Sequence, residues 1–597
     1  MRQAVAAMVG ALLCLAACSS DVGESIVDAD ASDKASATGE AAPTATEPPG
    51  AETPIPEPAT PQPPTPQPAN PESSATPQPT AAPLPTATSV PAAEGSGDLT
   101  IVAAPFSPLA GIATVEAAES VAVRLEAESE DHVVRTPWTS AEATIHELPL
   151  VGLRAERTYD VRAFARGADG PELLGVARFV SGALPAELPT FDVQGTTDDL
   201  TLLEVVPFDR LLAGESNLLA VLDQEGEVVW FHQDETSLAA VSRTPAGGIL
   251  AISPRAGVEE FGIDGRRIRS WATPEVGTDF NVDEATVIFA DDAVDLVGAH
   301  HDVQLLPDGT LLFLSETFHE VSQAQRDEIG CLDDGVAWGV VSDVVVHLDA
   351  DGTVLRTWDL WDVLSFGPGR GDWLCRVRGP IATETERDWT HANSVVFDAE
   401  RNAVIVSVRH TDQIVALDMG ENFGSQTGVR WILGADGTIP YDGESFHHTH
   451  AVTVAPNGDL VFYDNGNFRP GDRGRPYSRA VRIRVDDAAA DRSTWSATQV
   501  WDHVLEDPVT GAAAYASLVS DADLLPDGNV LVTHGGLTRP FFHAHLVEII
   551  PSSDAEDGVG GEIVWEVRLG DEDGPVAVYR ADRWDSLYFG DLWEPAG

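Results

Sequence analysis

The chain is poor in sulfur, in positive charge and in long apolar runs. Only four of its 597 residues are cysteine and three are methionine, too few cysteines for a fold built on disulfides. Basic residues number 35 against 96 acidic ones, a net charge of −61. Duplex nucleic acid and anionic lipid surfaces are repelled by such a chain. The bland reading of this acidity is solubility in a salty extracellular medium. Screening limits the global field to about 8–10 Å at physiological salt, so an anionic substrate needs local positive charge. The apolar run from Ala4 to Ala17 falls short of the roughly 20 residues that span a bilayer. Convincing helical periodicity is also scarce, which disfavours a helical bundle.

Arg2 and that short run read as a leader rather than as part of the fold. The run ends Leu15-Ala16-Ala17-Cys18-Ser19, which resembles a lipobox. The resemblance implies removal of residues 1–17 and lipidation of Cys18. An ordinary signal peptide with a chance cysteine is the alternative. Ser19 after the cysteine points to the outer membrane if the host is Gram-negative. Residues 18–97 are dominated by Pro, Thr, Ala, Ser and Glu, with repeats such as T-P-Q-P. They bury too little to offset chain entropy and read as an extended tether. In an exported chain the isolated pair Cys331 and Cys375 is expected as a disulfide rather than as free thiols, and a two-cysteine metal site is disfavoured because neither lies in a C-x-x-C.

Residues 98–190 alternate apolar and polar positions. Their phrase G-L-R-A-E-R-T-Y-D-V-R-A-F-A from Gly152 resembles the late strands of a fibronectin III-like β-sandwich. Residues 195–597 carry two repeated phrases. One is a strand, a Gly turn and a strand ending in tryptophan, at Trp230, Trp271 and Trp358, with looser copies at Trp431, Trp501 and Trp565. The other is a short strand closed by a turn such as Pro-Asp-Gly. It begins at His301 (H-D-V-Q-L-L-P-D-G), His450 (H-A-V-T-V-A-P-N-G) and His391 (H-A-N-S-V-V-F-D-A). Copies without histidine begin at Ser520 and Ala240. Five tryptophan strands follow these five phrases in order. Trp230 precedes them all, so its inner strand is expected from the C-terminal stretch beginning at Arg583, as when a propeller closes on itself. The fold expected is all-β: a six-bladed β-propeller, preceded by the sandwich and the disordered tether. A seven-bladed ring or a large sandwich explains the phrase count less well.

In a radial array, equivalent positions meet at the central channel, so His301, His391 and His450 are expected together. Because Ser520 and Ala240 occupy the same register, folding does not demand histidine there. Arg409 follows on the next strand of the His391 unit and offers bidentate donors to a tetrahedral oxyanion. Asn393, two residues beyond His391, is expected on the same face.

The phrases D-W-T-H-A-N-S-V, V-S-V-R-H, V-R-W-I-L-G, T-H-A-V and F-Y-D-N-G-N-F-R, in this order between Asp388 and Arg469, resemble the bacterial aryl sulfate sulfotransferases. That resemblance implies a six-bladed propeller with an N-terminal β-sandwich. It implies sulfuryl transfer from a phenolic sulfate to a phenol without a nucleotide donor, and it calls for no cofactor. His450 is then the nucleophile that becomes sulfohistidine. His391 and Arg409 hold the sulfuryl oxygens, and His301 handles the phenolic proton. Asn393, His300 and Thr449 are the neighbouring substrate-binding candidates. Thr449 stands where glutamine is expected in many members.

Elementary chemistry agrees with these roles. Neutral imidazole is a nucleophile near pH 7, and a departing phenolate with a conjugate-acid pKa of about 10 benefits from a general acid. Exchange through a covalent intermediate predicts ping-pong kinetics. Phe446, Phe468 and Tyr463 are candidate aromatic walls, each equally at home in a core. Two other readings stand beside the transferase. The F-H-H-T-H run puts His448 and His450 on one face of a strand, which with His301 and His391 suggests a metal-dependent propeller hydrolase. Arg409 opposes a cation there. The third reading is a non-catalytic binding module on a lipid-anchored stalk.

Overall fold

The computed structural model describes residues 97–594, except 106, 187, 208–217, 234–238, 254–256, 273–285, 290–297, 330–338, 367–385, 421–427, 471–475, 507–510, 553–558 and 573. Cys18, Cys331 and Cys375, and with them the lipid-site and disulfide expectations, lie outside the described residues.

The described chain is nearly all strand. Two small sheets come first. One joins Gly97–Ala104, Ser107–Val121 and Ala143–Leu150; the other joins Val133–Arg135, Val123–Glu128, Thr158–Gly167 and Gly170–Val180. Their alternating patterns bury one face of each around Leu125, Tyr159 and Val161. The Tyr159 hydroxyl accepts a hydrogen bond of 2.9 Å from the backbone N–H of Arg154, a tyrosine returning to the loop just upstream of its strand.

Six larger sheets follow. Each has a core of four antiparallel strands, and consecutive sheets are built largely from consecutive strands. The exception is the first sheet, where Leu200–Pro207, Leu218–Leu222 and Val228–His232 are completed by Val576–Trp584, paired antiparallel to Leu200–Pro207. Arg583, where the closing stretch was expected to begin, stands near the end of that strand. The sixth sheet gains a fifth strand, Phe191–Gly195, on its outer edge. The innermost strands, beginning at Ala239, His300, Ala392, Thr449 and Asp521, touch in that succession, and the Asp521 strand also touches Val576–Trp584.

The repeated phrases take two distinct jobs. All six tryptophans lie on the fourth strands and are buried. Four indole N–H groups reach into the next sheet. Trp230 donates to Ile263 O, Trp271 to Ala350 O, Trp431 to Asp487 and Trp501 to Gly560 O, at 2.7–3.0 Å. Aromatic area and a directed donor therefore fasten neighbouring sheets at once. The inner phrases carry a bulge with a left-handed residue: Ala240, His301, His391 and Ala451 have φ between 50° and 58°. Non-glycine residues pay strain in this region, and bulges re-aim side chains.

The inner strands' exposed edges are covered by side chains of the preceding sheet. Glu204 accepts from the N–H groups of Ala240 and Val241, Asp302 from Val395, and Ser394 from Val452. Unpaired edge donors are thus satisfied where no further strand can pair. Segment 585–594 returns to the first two sheets: the Tyr588 hydroxyl bonds the backbone of Val151, and Trp593 packs into their core.

Candidate active site

The bulges gather the three histidines. The His301 and His391 ring centroids are 4.9 Å apart, and His450 lies edge-on to Tyr579 at 5.4 Å, with His301 6.5 Å from the same tyrosine. His301, His391, His450 and Arg409 are all buried.

His450 opens the strand Thr449–Val454 just after its first residue. Its Nδ1 lies 2.7 Å from Ser520 O. A carbonyl only accepts, so Nδ1 carries the hydrogen and Nε2 keeps its lone pair. Nε2 is buried with no hydrogen-bond partner among the described residues. Burial, then the positive charges of Arg580 and Arg409, hold the His450 pKa well below 6.5 against the opposing Ser520 bond. The ring is neutral at pH 7, with the lone pair of one nitrogen unused by any hydrogen bond among the described residues.

His391 presents Nδ1 to Asp388 Oδ2 at 2.5 Å. Arg409 begins a short 3-10 turn, Arg409–Thr411, rather than continuing the strand Ala403–Val408. Its Nη1 donates to His410 Nε2 at 2.8 Å and its Nη2 to Ser517 O at 2.9 Å. The guanidinium is therefore aimed across to the sixth sheet's approach and held there. His410 stacks obliquely on His391 with centroids 4.4 Å apart.

His301 pairs with its neighbour. Its Nδ1 lies 2.8 Å from His300 Nδ1, and His300 Nε2 lies 3.1 Å from Asp343 Oδ1. Burial opposes charge on His300, but the bond to Asp343 outweighs it and the pKa is raised. Burial, then the neighbouring His391, His300, His450 and Arg580, drive the His301 pKa well down. His301 Nε2 is buried and has no hydrogen-bond partner among the described residues.

Other expected residues sit differently. The bulge between Ala392 and Ser394 breaks the alternation that put Asn393 on the His391 face. Asn393 donates to Thr449 O at 2.7 Å and accepts from Ala451 N at 3.3 Å, tying two inner strands. The Thr449 hydroxyl bonds Ser407 at 2.8 Å. His300 faces Asp343 and His301. His448, expected beside His450, has φ of 53° and turns to Asp412 at 3.2 Å. Phe446 and Tyr463 are buried, the tyrosine bonded to His534. Phe468 is 55% exposed with its ring 5.3 Å from His448.

Sequence reasoning missed Asp388, His410, Asp343, Tyr579 and Arg580. Arg580 donates to Asp302 at 3.0 Å and to Asn393 O at 2.7 Å. Together with Asp302, Glu204, Asp521, Asp523 and Asp582 it lines a cavity of about 280 Å³. The V-Y-R of Val578–Arg580 gave no signal, because only the closing strand brings it here.

Asp388, His391 and His410 have potential ligand atoms within 4.8 Å of one another. The donor set does not fit a metal as arranged. Arg409 can only donate to His410 Nε2, so His410 Nδ1 carries a hydrogen, directed at Asp388 O at 3.2 Å. His391 Nδ1, against a carboxylate, carries one too. Metal ligation needs those lone pairs.

Against this geometry, the family model described as Arylsulfotransferase (ASST) matches residues 192–569. The chain belongs to the arylsulfotransferase family. The arylsulfate sulfotransferase AssT of Escherichia coli O6:H1 is 22% identical over 392 residues, covering 54% of this chain and 58% of that protein. AssT of Lelliottia amnigena is 24% identical over 213 residues, covering 26% and 34%. The chain thus spans less than two thirds of the length of either relative. Among solved structures, the periplasmic gluconolactonase PpgL of Pseudomonas aeruginosa aligns at 13% identity over 65% of this chain and 100% of its own, with a TM-score of 0.28.

Proposed function

We propose that this arylsulfotransferase-family chain moves a sulfuryl group from an aryl sulfate to a phenol through a sulfohistidine on His450, without a nucleotide donor. The observation that carries the reading is the tautomer of His450: Nδ1–H held by Ser520 O, Nε2 bare and buried among cationic groups. In the first half, the Nε2 lone pair attacks sulfur and the sulfur–oxygen bond to the aryl group breaks. The phenolate leaves with a proton supplied by His301. Arg409 and His391, the latter steadied by Asp388, stabilise the negative charge on the transferring oxygens. In the second half the acceptor phenol attacks sulfur, the sulfur–nitrogen bond breaks, and His301 takes the phenolic proton. The six sheets act as the blades of one closed ring around this site. The first two sheets form a fibronectin III-like sandwich, and Cys18 anchors the chain by lipid to a bacterial cell envelope.

The test uses p-nitrophenyl sulfate with and without phenol, with and without EDTA. Nitrophenol release that needs phenol, survives chelation and disappears in His450→Ala is expected, with an 80 Da adduct on a His450 peptide trapped in donor alone (about the mass of SO3, from covalent catalysis). Loss of turnover with EDTA, or an adduct elsewhere, overturns the reading.

A further inference from the structure

We propose that Asp343, His300 and His301 form a proton relay in which His301 changes tautomer between the two half-reactions, while His300 holds the charge. The inference rests on the transferase reading above, but the role it gives His300 is separate: His300 becomes a positioning and relay residue that never touches substrate.

The geometry is an unbroken line. Asp343 Oδ1 lies 3.1 Å from His300 Nε2, His300 Nδ1 lies 2.8 Å from His301 Nδ1, and His301 Nε2 has no partner among the described residues. Two Nδ1 atoms at 2.8 Å require one hydrogen between them, so the two rings cannot choose tautomers independently. Asp343 is fixed by its other oxygen, which accepts from Ala392 N at 2.6 Å and from the Thr390 hydroxyl. That places the carboxylate's orientation under the control of the His391 segment.

Protons balance as follows. Before the first half, His300 bears hydrogens on both nitrogens, with Nε2–H on Asp343 and Nδ1–H on His301 Nδ1. His301 is neutral and bears its hydrogen on Nε2. The departing phenolate takes that Nε2 hydrogen, and His301 Nδ1 takes the one from His300. Both rings are then neutral, and His301 Nε2 has become a lone pair. In the second half the acceptor phenol gives its proton to His301 Nε2, and the Nδ1 hydrogen returns to His300. His301 serves as acid and then as base without ever being an imidazolium. Its surroundings demand this: His391, His450 and Arg580 crowd it with cationic or potentially cationic groups, whereas Asp343 and Glu316 face His300.

The test is His300→Gln, whose amide can keep a bond on each side but cannot pass a proton. The readout is single-turnover release of phenol from phenyl sulfate beside that of nitrophenol from p-nitrophenyl sulfate, a leaving group that needs little acid help. The relay predicts loss on the order of 10²-fold with phenyl sulfate and less than about a tenth of that loss with p-nitrophenyl sulfate. The limb that reports His300 protonation is also expected to vanish from the pH profile. Equal losses on both donors, or none, overturn the relay. Asp343→Asn, which keeps the acceptor for Ala392 N, should reproduce the donor dependence and serves if the Gln variant does not fold. Failure of the transferase reading looks different: wild type then forms no His450 adduct with either donor.

Discussion

The Trp431–Asp487 tie offers a quantitative check on how the sheets are held. Asp487 lies just past the strand Arg479–Asp486 of the fifth sheet. It accepts from Trp431 Nε1 at 2.9 Å, Arg430 Nε at 2.6 Å and Arg401 Nε at 3.0 Å, all from the fourth. Burial opposes the charge on Asp487, but the bonds from Arg430 and Trp431 outweigh it and its pKa is lowered. A lowered folded-state pKa means this contribution is fully present above the unfolded value of about 3.9 and fades only below it. In Asp487→Ala the buried indole N–H loses its partner, costing about 1–3 kcal/mol. Arg401 retains Asp398 and Arg430 retains Asp418, so each lost charged bond costs only about 1 kcal/mol. The sum is about 3–5 kcal/mol. With an unfolding entropy of about 2.1 cal/mol/K per residue over roughly 400 residues, that lowers Tm by about 4–6 °C. Calorimetry of the folded chain at pH 7 measures this, and Asp487→Asn, which keeps an oxygen for Trp431, should lose about half as much. An Ala variant melting within about 1 °C of wild type would refute the tie.

Two further outcomes concern the site. His450 is neutral because its pKa lies well below 6.5, and the proposed mechanism makes the neutral ring the reactive form. The first half-reaction should therefore hold its rate as pH falls through 6.5, and an acid limb centred at or above that value in a pH–rate profile contradicts the assignment. In Asp388→Asn the acceptor for His391 Nδ1–H can become a donor, as in a mis-oriented triad. A drop in kcat on the order of 10²-fold is expected with Tm within about 2 °C of wild type. A variant with unchanged kcat removes Asp388 from the machinery.

Much of this organisation was legible in the sequence because it repeats. Tryptophan at the end of a strand and histidine at the head of another recur in a fixed order, and the structure assigns the first to sheet-to-sheet ties and the second to one site. What alternation missed lies at the bulges. Period-two reasoning put Asn393 with His391 and His448 with His450, but a bulge at the first and a left-handed residue at the second turn both side chains elsewhere. Asp388 and His410 matter through a short turn and one hydrogen bond each, which leave no periodic trace. Asp343 is recruited from the middle of the strand Gly339–Leu348, where its charge sits among valines. Tyr579 and Arg580 escaped because their place depends on a pairing between the two ends of the six-sheet segment.

That pairing makes the site a reporter of completion. Val578 stands opposite Val205, so Tyr579, whose hydroxyl holds His301 O at 2.9 Å, arrives only when the last strand of the array locks onto the first. On a growing chain the histidines would all be synthesised before the tyrosine and arginine that frame them. An array whose last strand is not yet paired thus keeps every candidate catalytic side chain yet lacks the frame that orients them. The proposed chemistry would then wait until the seam is shut, and a permuted chain cut elsewhere should gain competence at a different moment of its synthesis while reaching the same site.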